Sequence, residues 1–472
     1  MRHVEIAARS VSPFVELVGK ERVEEVARLA TGIHKRLGPA RVWNINSTSS
    51  GGGVAEMLRS LLRYARGLGV DVSWLVLEGP HEFFRLTKRL HNALHEDPGD
   101  RGPLGPEQRA IYERTMKDTW SDLSKIVRPG DVVICHDPQT AGLVPELVRS
   151  GARVVWRCHI GHDRPGPETE RAWDFLRPYI EQAPVAVFTR ETYAPRWIPR
   201  ARFVVLPPNI DPFCVKNQWM PETNVRTILA ETGLVSSEEA SGTPVLARDD
   251  GTLVRVTRKA IVIRENVAPR WETPLVVQVS RWDRMKDPLG LLESFRQVAH
   301  ADAHLVIAGP MVYGVTDDPE APGVLEQVHV AWRALPLEIR RRVHLAQLPV
   351  DDTAENAAMV NALQRHATII VQKSIREGFG LTVTEGMWKE RPVVASAIGG
   401  IPDQIRDGID GILLRDPSDR EEVARALDRL LDDPDLADRL GRSGHERVRE
   451  RFLSISALEH WAEILLALTP RS

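Results

Sequence analysis

The sequence predicts an α/β protein built from two Rossmann-like, doubly wound domains facing a central cleft. Three observations carry that expectation. The chain has 472 residues, more than one ordinary hydrophobic core serves. Short apolar, β-branched runs alternate with helical segments, the pattern of a parallel sheet with helices on its faces. Finally, this alternation occurs twice, with a proline-rich break between the two series.

In the first series "ARVWNINS" reads as a strand, "GGVAEMLRSLLRYARGLG" as a helix ending at a glycine, and "VDVSWLVLEG" as the next strand. "DVVICHDP", "ARVVWRCHIG" and "PVAVFTRE" follow as further strands. The break lies at residues 204–213, "VVLPPNIDPF", where paired prolines forbid regular structure. The second series runs through "TPLVVQVSRW", "HLVIAGP", "RVHLAQL", "ATIIVQKS", "PVVASA" and "GILLRD". Residues 217–266 fit neither series and read as an insertion or flap, in which Asp250-Gly251 between apolar alternations signals a β-hairpin. The expected domains are therefore 1–210 and 211–451, the second carrying the insertion. "REEVARALDRLLDD" and "ALEHWAEILLAL" are amphipathic helices, and the segment from about 452 to 472 is open to packing back on the first domain.

A content of 42% hydrophobic and 27% charged residues fits a globular chain in water. A formal net charge of -3 supplies no basic field for nucleic acid or anionic lipid. No apolar run reaches the roughly 20 residues that a membrane-spanning helix needs. "MRHVEIAARS" lacks the apolar core of a signal peptide, so a cytoplasmic protein is expected. Cys135, Cys158 and Cys214 are odd in number and scattered, which argues against a disulfide framework or a zinc cluster and for small buried side chains.

Four motifs bear chemistry. In "STSSGGGVAEM", Gly51, Gly52 and Gly53 join a strand to its helix, where backbone N–H groups can approach a phosphate at the helix's positive end. The motif is neither GxGxxG nor a Walker loop, and a tight turn without a ligand also explains it. In "QVSRWDRMKDPLG", Arg281 and Lys286 follow a strand of the second series. Two cations there can neutralise a leaving diphosphate, although solvated loop charges are the simpler account of an isolated pair. In "SIREGFGLTVTEGMWKE", Glu377 sits in a glycine loop and Glu385 is expected in the first turn of the next helix. Glu377 leans toward ligand contact. Glu385 has two readings: it accepts a ribose diol, or it closes a T-x-x-E capping box with Thr382. Lastly, His136 and Asp137 in "CHDPQT" and His159 in "RCHIGHD" end strands of the first domain, as core residues or as the wall of a cleft. H-E-x-x-H and G-x-S-x-G are both absent from the sequence, so a zinc site or a serine hydrolase has little support.

Taken together these residues resemble a retaining glycosyltransferase of the GT-B architecture, glycosyltransferase family 4, whose E-x7-E element matches Glu377 to Glu385. "NINSTSSGGGVAEML", "CHDPQ", "PPNIDP", "QVSRWDRMKDP" and "SIREGFGLTVTEGMWK" are similar, within that group, to trehalose synthases of the glycosyltransferring type. The resemblance spans nearly the whole chain and weakens at 217–266. It implies transfer of glucose from ADP-glucose or UDP-glucose to free glucose, by front-face substitution on the donor. It also implies site roles: Arg281 and Lys286 on the diphosphate, Glu385 on the ribose, and Glu377 on the donor glucose, with the amides of Phe379, Gly380 and Leu381 nearby. Gly52 and Gly53 approach the diphosphate from the other domain, His159 lies by the transferred sugar, and Asp137 and Gln139 lie at the acceptor. Glu377, His159, Arg281 and Lys286 would carry the catalysis. No metal site and no required cofactor are implied, stimulation by Mg2+ and a homodimer are left open, and no nucleic acid or membrane partner is expected. Alternatives are another sugar or sugar-phosphate acceptor, a GT-B-fold nucleotide-sugar epimerase, or a nucleotide-sugar binder without turnover.

Overall fold

The structure, a computed structural model, describes residues 1–49, 52–248, 251–312 and 320–469. It divides into two compact units, Met1–Asn209 with Phe452–Ser472, and Ile210–Arg451. Each is a Rossmann-like sheet covered by helices.

The first unit holds β1 (Arg2–Val4), β2 (Val42–Asn46), β3 (Val72–Val76), β4 (Val132–His136), β5 (Arg153–Cys158), β6 (Val185–Phe188) and β7 (Phe203–Val205). They form one sheet in the order β1-β3-β2-β4-β5-β6-β7. All neighbours are parallel except the edge strand β1, which runs antiparallel to β3 with Arg2 opposite Val76. The strands β2, β3 and β4 are buried along their whole length, because helices cover both faces. Burying each such aliphatic side chain contributes roughly 1.5–3 kcal/mol. The helix Ser454–Leu468 belongs to this unit: Arg22 pairs with Glu459 at 2.7 Å, and Arg36 donates to the carbonyl of Leu466 at 2.8 Å.

Next along the chain, β8 (Val245–Ala247) and β9 (Leu253–Arg255) pair antiparallel as a hairpin. Gly251 takes φ +85° in its turn, while Asp250 lies outside the described residues. The second sheet comprises β10 (Ile261–Ile263), β11 (Leu275–Val279), β12 (His304–Pro310), β13 (Val343–Leu348), β14 (Ile369–Gln372), β15 (Val393–Ser396) and β16 (Ile412–Leu414), in the order β10-β13-β12-β11-β14-β15-β16. Here too the edge strand β10 is the antiparallel one, with Ile261 opposite Gln347.

Two expectations need correction. Residues 217–266 are not a detached flap: β10 completes the second sheet, and the carboxylate of Glu355 accepts the backbone N–H groups of Thr257 at 2.8 Å and Arg258 at 2.9 Å. The break at 204–213 begins later than its first residues suggest, since Phe203–Val205 pairs with β6 before Pro207 and Pro208 stop the ladder.

The strand orders fix where a ligand would bind. The strand order of each sheet reverses once, between β2 and β4 in the first unit and between β11 and β14 in the second. Helices leave on opposite faces at such a switch and open a crevice beyond the strands' carboxyl ends.

Candidate active site

In the second unit the sequence-predicted residues gather at that switch. The chain leaves β11 at Val279, and the buried Trp282 anchors the following loop by donating Nε1–H to the carbonyl of Pro310 at 2.9 Å. Asp283 then caps a short 3-10 turn, Arg284–Lys286, accepting the Met285 N–H at 2.8 Å. Its other oxygen accepts from Arg281 Nη2 at 2.9 Å. Asp287 adopts the left-handed conformation, φ 49° and ψ 51°, and caps the helix Pro288–Phe295 through Gly290 N–H at 3.0 Å. The same carboxylate pairs with Lys373, whose side chain is 1% exposed.

This arrangement fastens the turn that carries Lys286 to the loop that follows β14. Ile375 N–H donates to the carbonyl of Met285 at 2.8 Å, and Lys286 Nζ lies 2.6 Å from Glu377 Oε2. Ser374 Oγ at 3.0 Å and Gln372 Nε2 at 3.3 Å also donate to that carboxylate oxygen. One carboxylate collecting an ammonium, a hydroxyl and an amide is held in a fixed orientation at the strand end.

The glycines of this loop have a steric reason. Gly380 takes φ 85° as N-cap of the helix Leu381–Trp388. A Cβ on Gly399 would lie 1.9 Å from the carbonyl oxygen of Glu377, and one on Gly400 would lie 2.6 Å from the Phe379 ring. Gly400 N–H donates to the carbonyl of Gly378 at 2.9 Å, so the chain after β15 lies directly under the loop 377–379.

Glu385 corrects the sequence reading. The helix starts at Leu381 with Gly380 as its N-cap, so Thr382 caps nothing and Glu385 is the helix's fifth residue, beyond capping reach. Its buried carboxylate instead meets Lys216 Nζ at 3.2 Å and Gln364 Nε2 at 3.4 Å. Lys389, one turn on, is buried and donates to Asn217 Oδ1 at 3.0 Å and to the carbonyl of Glu385 at 3.3 Å. Burial pushes the Lys389 ammonium down to about 7, against the pull of Glu385.

In the first unit, Gly52 (φ 79°) caps the 15-residue helix Gly53–Gly67 after β2 without a side-chain cap. Gly51 lies outside the described residues. After β4, Asp137 is held at φ 62° and its Oδ1 accepts the backbone N–H of His159 at 2.8 Å. A non-glycine residue in that region costs on the order of 1–3 kcal/mol, which a tightly bonded surround must supply. Burial raises the Asp137 carboxyl to about 7, opposed by the His159 N–H and by Arg157. His136 Nδ1 and His159 Nε2 lie 3.2 Å apart, and Gln139 is half-buried in the next turn. Burial holds His136 down at about 3, and it holds His159 well below the ordinary imidazole value, with Arg157 adding to both shifts. Cys135 and Cys158 are buried free thiols and Cys214 is a partly buried one. Among the described residues no helix is long and apolar enough to cross a membrane.

The residues that sequence reasoning missed are Lys216, Asn217, Gln364, Lys373, Asp287, Lys389 and the Gly399-Gly400 pair. Only the glycine pair carried a local signal, a doublet directly after an apolar strand.

With this geometry in place, comparison with known proteins is direct. Residues 44–195 match the family model for the N-terminal domain of trehalose synthase, and residues 259–447 match that for glycosyl transferases group 1. The trehalose synthase of Rubrobacter xylanophilus is 36% identical over 459 residues, 96% of each chain. That of Pyrococcus horikoshii is 33% identical, over 98% of this chain and 97% of the relative. Among solved structures, the Escherichia coli protein described as trehalose-6-phosphate bound with UDP-2-fluoro glucose superposes with TM-score 0.65 at 15% identity, covering 92% of this chain and all of that one. An α,α-trehalose-phosphate synthase (UDP-forming) from Burkholderia vietnamiensis gives 0.64 at 16% identity, covering 90% of this chain and 96% of that one. At those identities the structures establish the GT-B fold, while the full-length relatives establish the lineage: this chain is a glycosyltransferase that belongs to the trehalose synthase family.

Proposed function

We propose that the chain is a retaining glucosyltransferase that moves glucose from ADP-glucose or UDP-glucose to free glucose, forming trehalose. The observation that carries the reading is the convergence at the carboxyl ends of β11 and β14, where Lys286 and Glu377 meet at 2.6 Å and Arg281 stands on the same loop as Lys286. A nucleotide sugar asks for that combination: cations for the diphosphate and a carboxylate for sugar hydroxyls. Free glucose as the acceptor is supported by the relatives similar over nearly the full length, which are named trehalose synthase.

In this reading Arg281 and Lys286 hold the diphosphate, and the amides at Gly52 and Gly53 approach it. Glu377 accepts from hydroxyls of the donor glucose, flanked by the backbone of Phe379, Gly380 and Leu381. Glu385, buried between Lys216 and Gln364, accepts from the ribose. His159 lies by the transferred sugar, and Asp137 and Gln139 receive the acceptor. The bond from C1 to the phosphate oxygen breaks as the acceptor's hydroxyl oxygen bonds C1 from the same face. The acceptor's proton passes to the leaving phosphate oxygen, and the two cations stabilise the charge developing there.

The test is product identification. Incubation with ADP-glucose or UDP-glucose and glucose should yield trehalose and free nucleoside diphosphate, with glucose 6-phosphate a poor acceptor. Product formed only from glucose 6-phosphate, or a changed nucleotide sugar without any acceptor, would overturn the assignment in favour of a phosphate-accepting enzyme or an epimerase.

A further inference from the structure

Lys216 lies in the turn 214–218, shortly after the second unit begins at Ile210. The turn closes on itself, Gln218 N–H donating to the carbonyl of Cys214 at 2.7 Å. Two helices hold its backbone. Asn361 Nδ2, on the helix Thr353–His366, donates to the carbonyls of Val215 at 2.9 Å and Gln218 at 2.8 Å. Trp388 Nε1, on the helix Leu381–Trp388, donates to the carbonyl of Asn217 at 3.1 Å. A lysine on a backbone fixed in this way gives up only its own side-chain freedom when it forms an ion pair.

Its partner is the residue assigned to the ribose. Lys216 Nζ lies 3.2 Å from Glu385 Oε1, and Gln364 Nε2 donates to Oε2 at 3.4 Å. The Glu385 side chain is 6% exposed and that of Lys216 is 23% exposed, so the pair sits at the rim of a buried pocket. A carboxylate offers about four lone-pair positions, two on each oxygen. Among the described residues one side-chain donor reaches each oxygen, which leaves one position on each, and a vicinal diol brings two hydroxyls to fill them. Lys389 does not take over this part. Asn217 Oδ1 holds its ammonium at 3.0 Å, and it meets Glu385 through the backbone carbonyl at 3.3 Å. Among the described residues Lys216 is therefore the cation that meets the carboxylate itself, and a carboxylate this deeply buried requires one.

We propose that Lys216 is a positioning residue for the donor, whose ion pair holds the Glu385 carboxylate with one acceptor position open to each ribose hydroxyl. Donor binding then depends on a turn outside the strand-end loops. The inference rests on the proposed function for the ribose contact of Glu385.

The experiment is isothermal titration calorimetry on the full chain with ADP or UDP, whichever binds more tightly, and with its 2',3'-dideoxy counterpart. The unsubstituted protein should prefer the nucleotide that carries the diol by at least about ten-fold, since two hydrogen bonds to a charged acceptor are at stake. Lys216→Met should bind the dideoxy nucleotide as the unsubstituted protein does, and its preference for the diol should fall below about three-fold. A general loosening of the fold weakens both nucleotides alike and keeps the ratio, so an undiminished ratio in Lys216→Met overturns the inference. An unsubstituted protein without any preference overturns the ribose contact of Glu385 and this inference with it. Should Lys216→Met fail to fold, Glu385→Gln is compared with Lys216→Met/Glu385→Gln, in which no charge is stranded. Affinities for the diol nucleotide equal within about two-fold are expected, because Lys216 acts through Glu385. Weaker binding by the double variant would mean that Lys216 meets the nucleotide directly, and would overturn the positioning role.

Discussion

Replacing Asp287 with Asn isolates the buried ion pair beneath the candidate site. The amide oxygen can still accept the Gly290 N–H, and Asn tolerates the φ of 49° that this position requires, so the helix cap and the backbone survive. What is lost is the negative charge facing Lys373, an ammonium whose side chain is 1% exposed. An uncompensated buried charge costs about 3–5 kcal/mol. With a urea dependence of about 3 kcal/mol per molar for a unit of this size, the unfolding midpoint should drop by on the order of 1 M. Hydrogen exchange followed by mass spectrometry should place the loss of protection in residues 284–296. The donor KM should rise too, because the turn carrying Lys286 is anchored by this pair. Adding Lys373→Met removes the stranded charge and should restore most of the stability without restoring the KM, since a neutral pair no longer pins the turn. If Asp287→Asn costs under about 1 kcal/mol, or if Lys373→Met brings no recovery, the pair does not hold the turn and the reasoning fails.

Lys286→Ala should lower kcat by about 100- to 1000-fold, the usual cost of deleting one charge-stabilising donor, and should also cost up to about 3 kcal/mol of stability because it strands the mostly buried Glu377 carboxylate; steady-state kinetics beside a melting curve check both. Gly399→Ala should leave the protein folded but displace the carbonyl of Glu377, which a Cβ would approach to 1.9 Å, and so lose about 100-fold in turnover through misplacement of the carboxylate; a wild-type rate would show that the loop has slack. The Asp137 carboxyl is raised in the fold from 3.8 to about 7, so the stability it contributes is full below about pH 4 and is lost as pH rises through 7. Asp137→Asn keeps an acceptor for the His159 N–H and should flatten that part of the stability profile measured by urea titration; an unaltered slope would remove Asp137 as its source.

The central strands were legible because burial on both faces leaves a continuous apolar run, as in "DVVICH" and "ATIIVQ". The edges were not. β1 carries Arg2 and His3 and β10 is three residues of mostly exposed or half-buried aliphatics, so neither has the burial that writes a pattern into the chain. Arg281, Lys286, Glu377 and the surrounding glycines could be read because the loop after a parallel strand places them at its carboxyl end wherever the sheet lies. Lys216, Lys373 and Lys389 could not, since each matters through a residue brought near by topology: Glu385, Asp287 and Asn217. Of the two readings open for Glu385, the capping box falls for a physical reason: Thr382 and Glu385 have the right spacing, but Gly380 in the left-handed region starts the helix early enough to make that spacing irrelevant.

The helix Ser454–Leu468 bears on how the polypeptide acquires its shape during synthesis. It joins residues 1–209, yet the ribosome makes it only after the entire stretch 210–451. At a translation rate of roughly 5–20 residues per second, the amino-terminal unit waits tens of seconds with Val26, Ala30 and Ile33 lacking part of their cover, while the unit encoded in the middle can already be complete. Nascent chains halted before Trp461 emerges should therefore engage chaperones through their amino-terminal half.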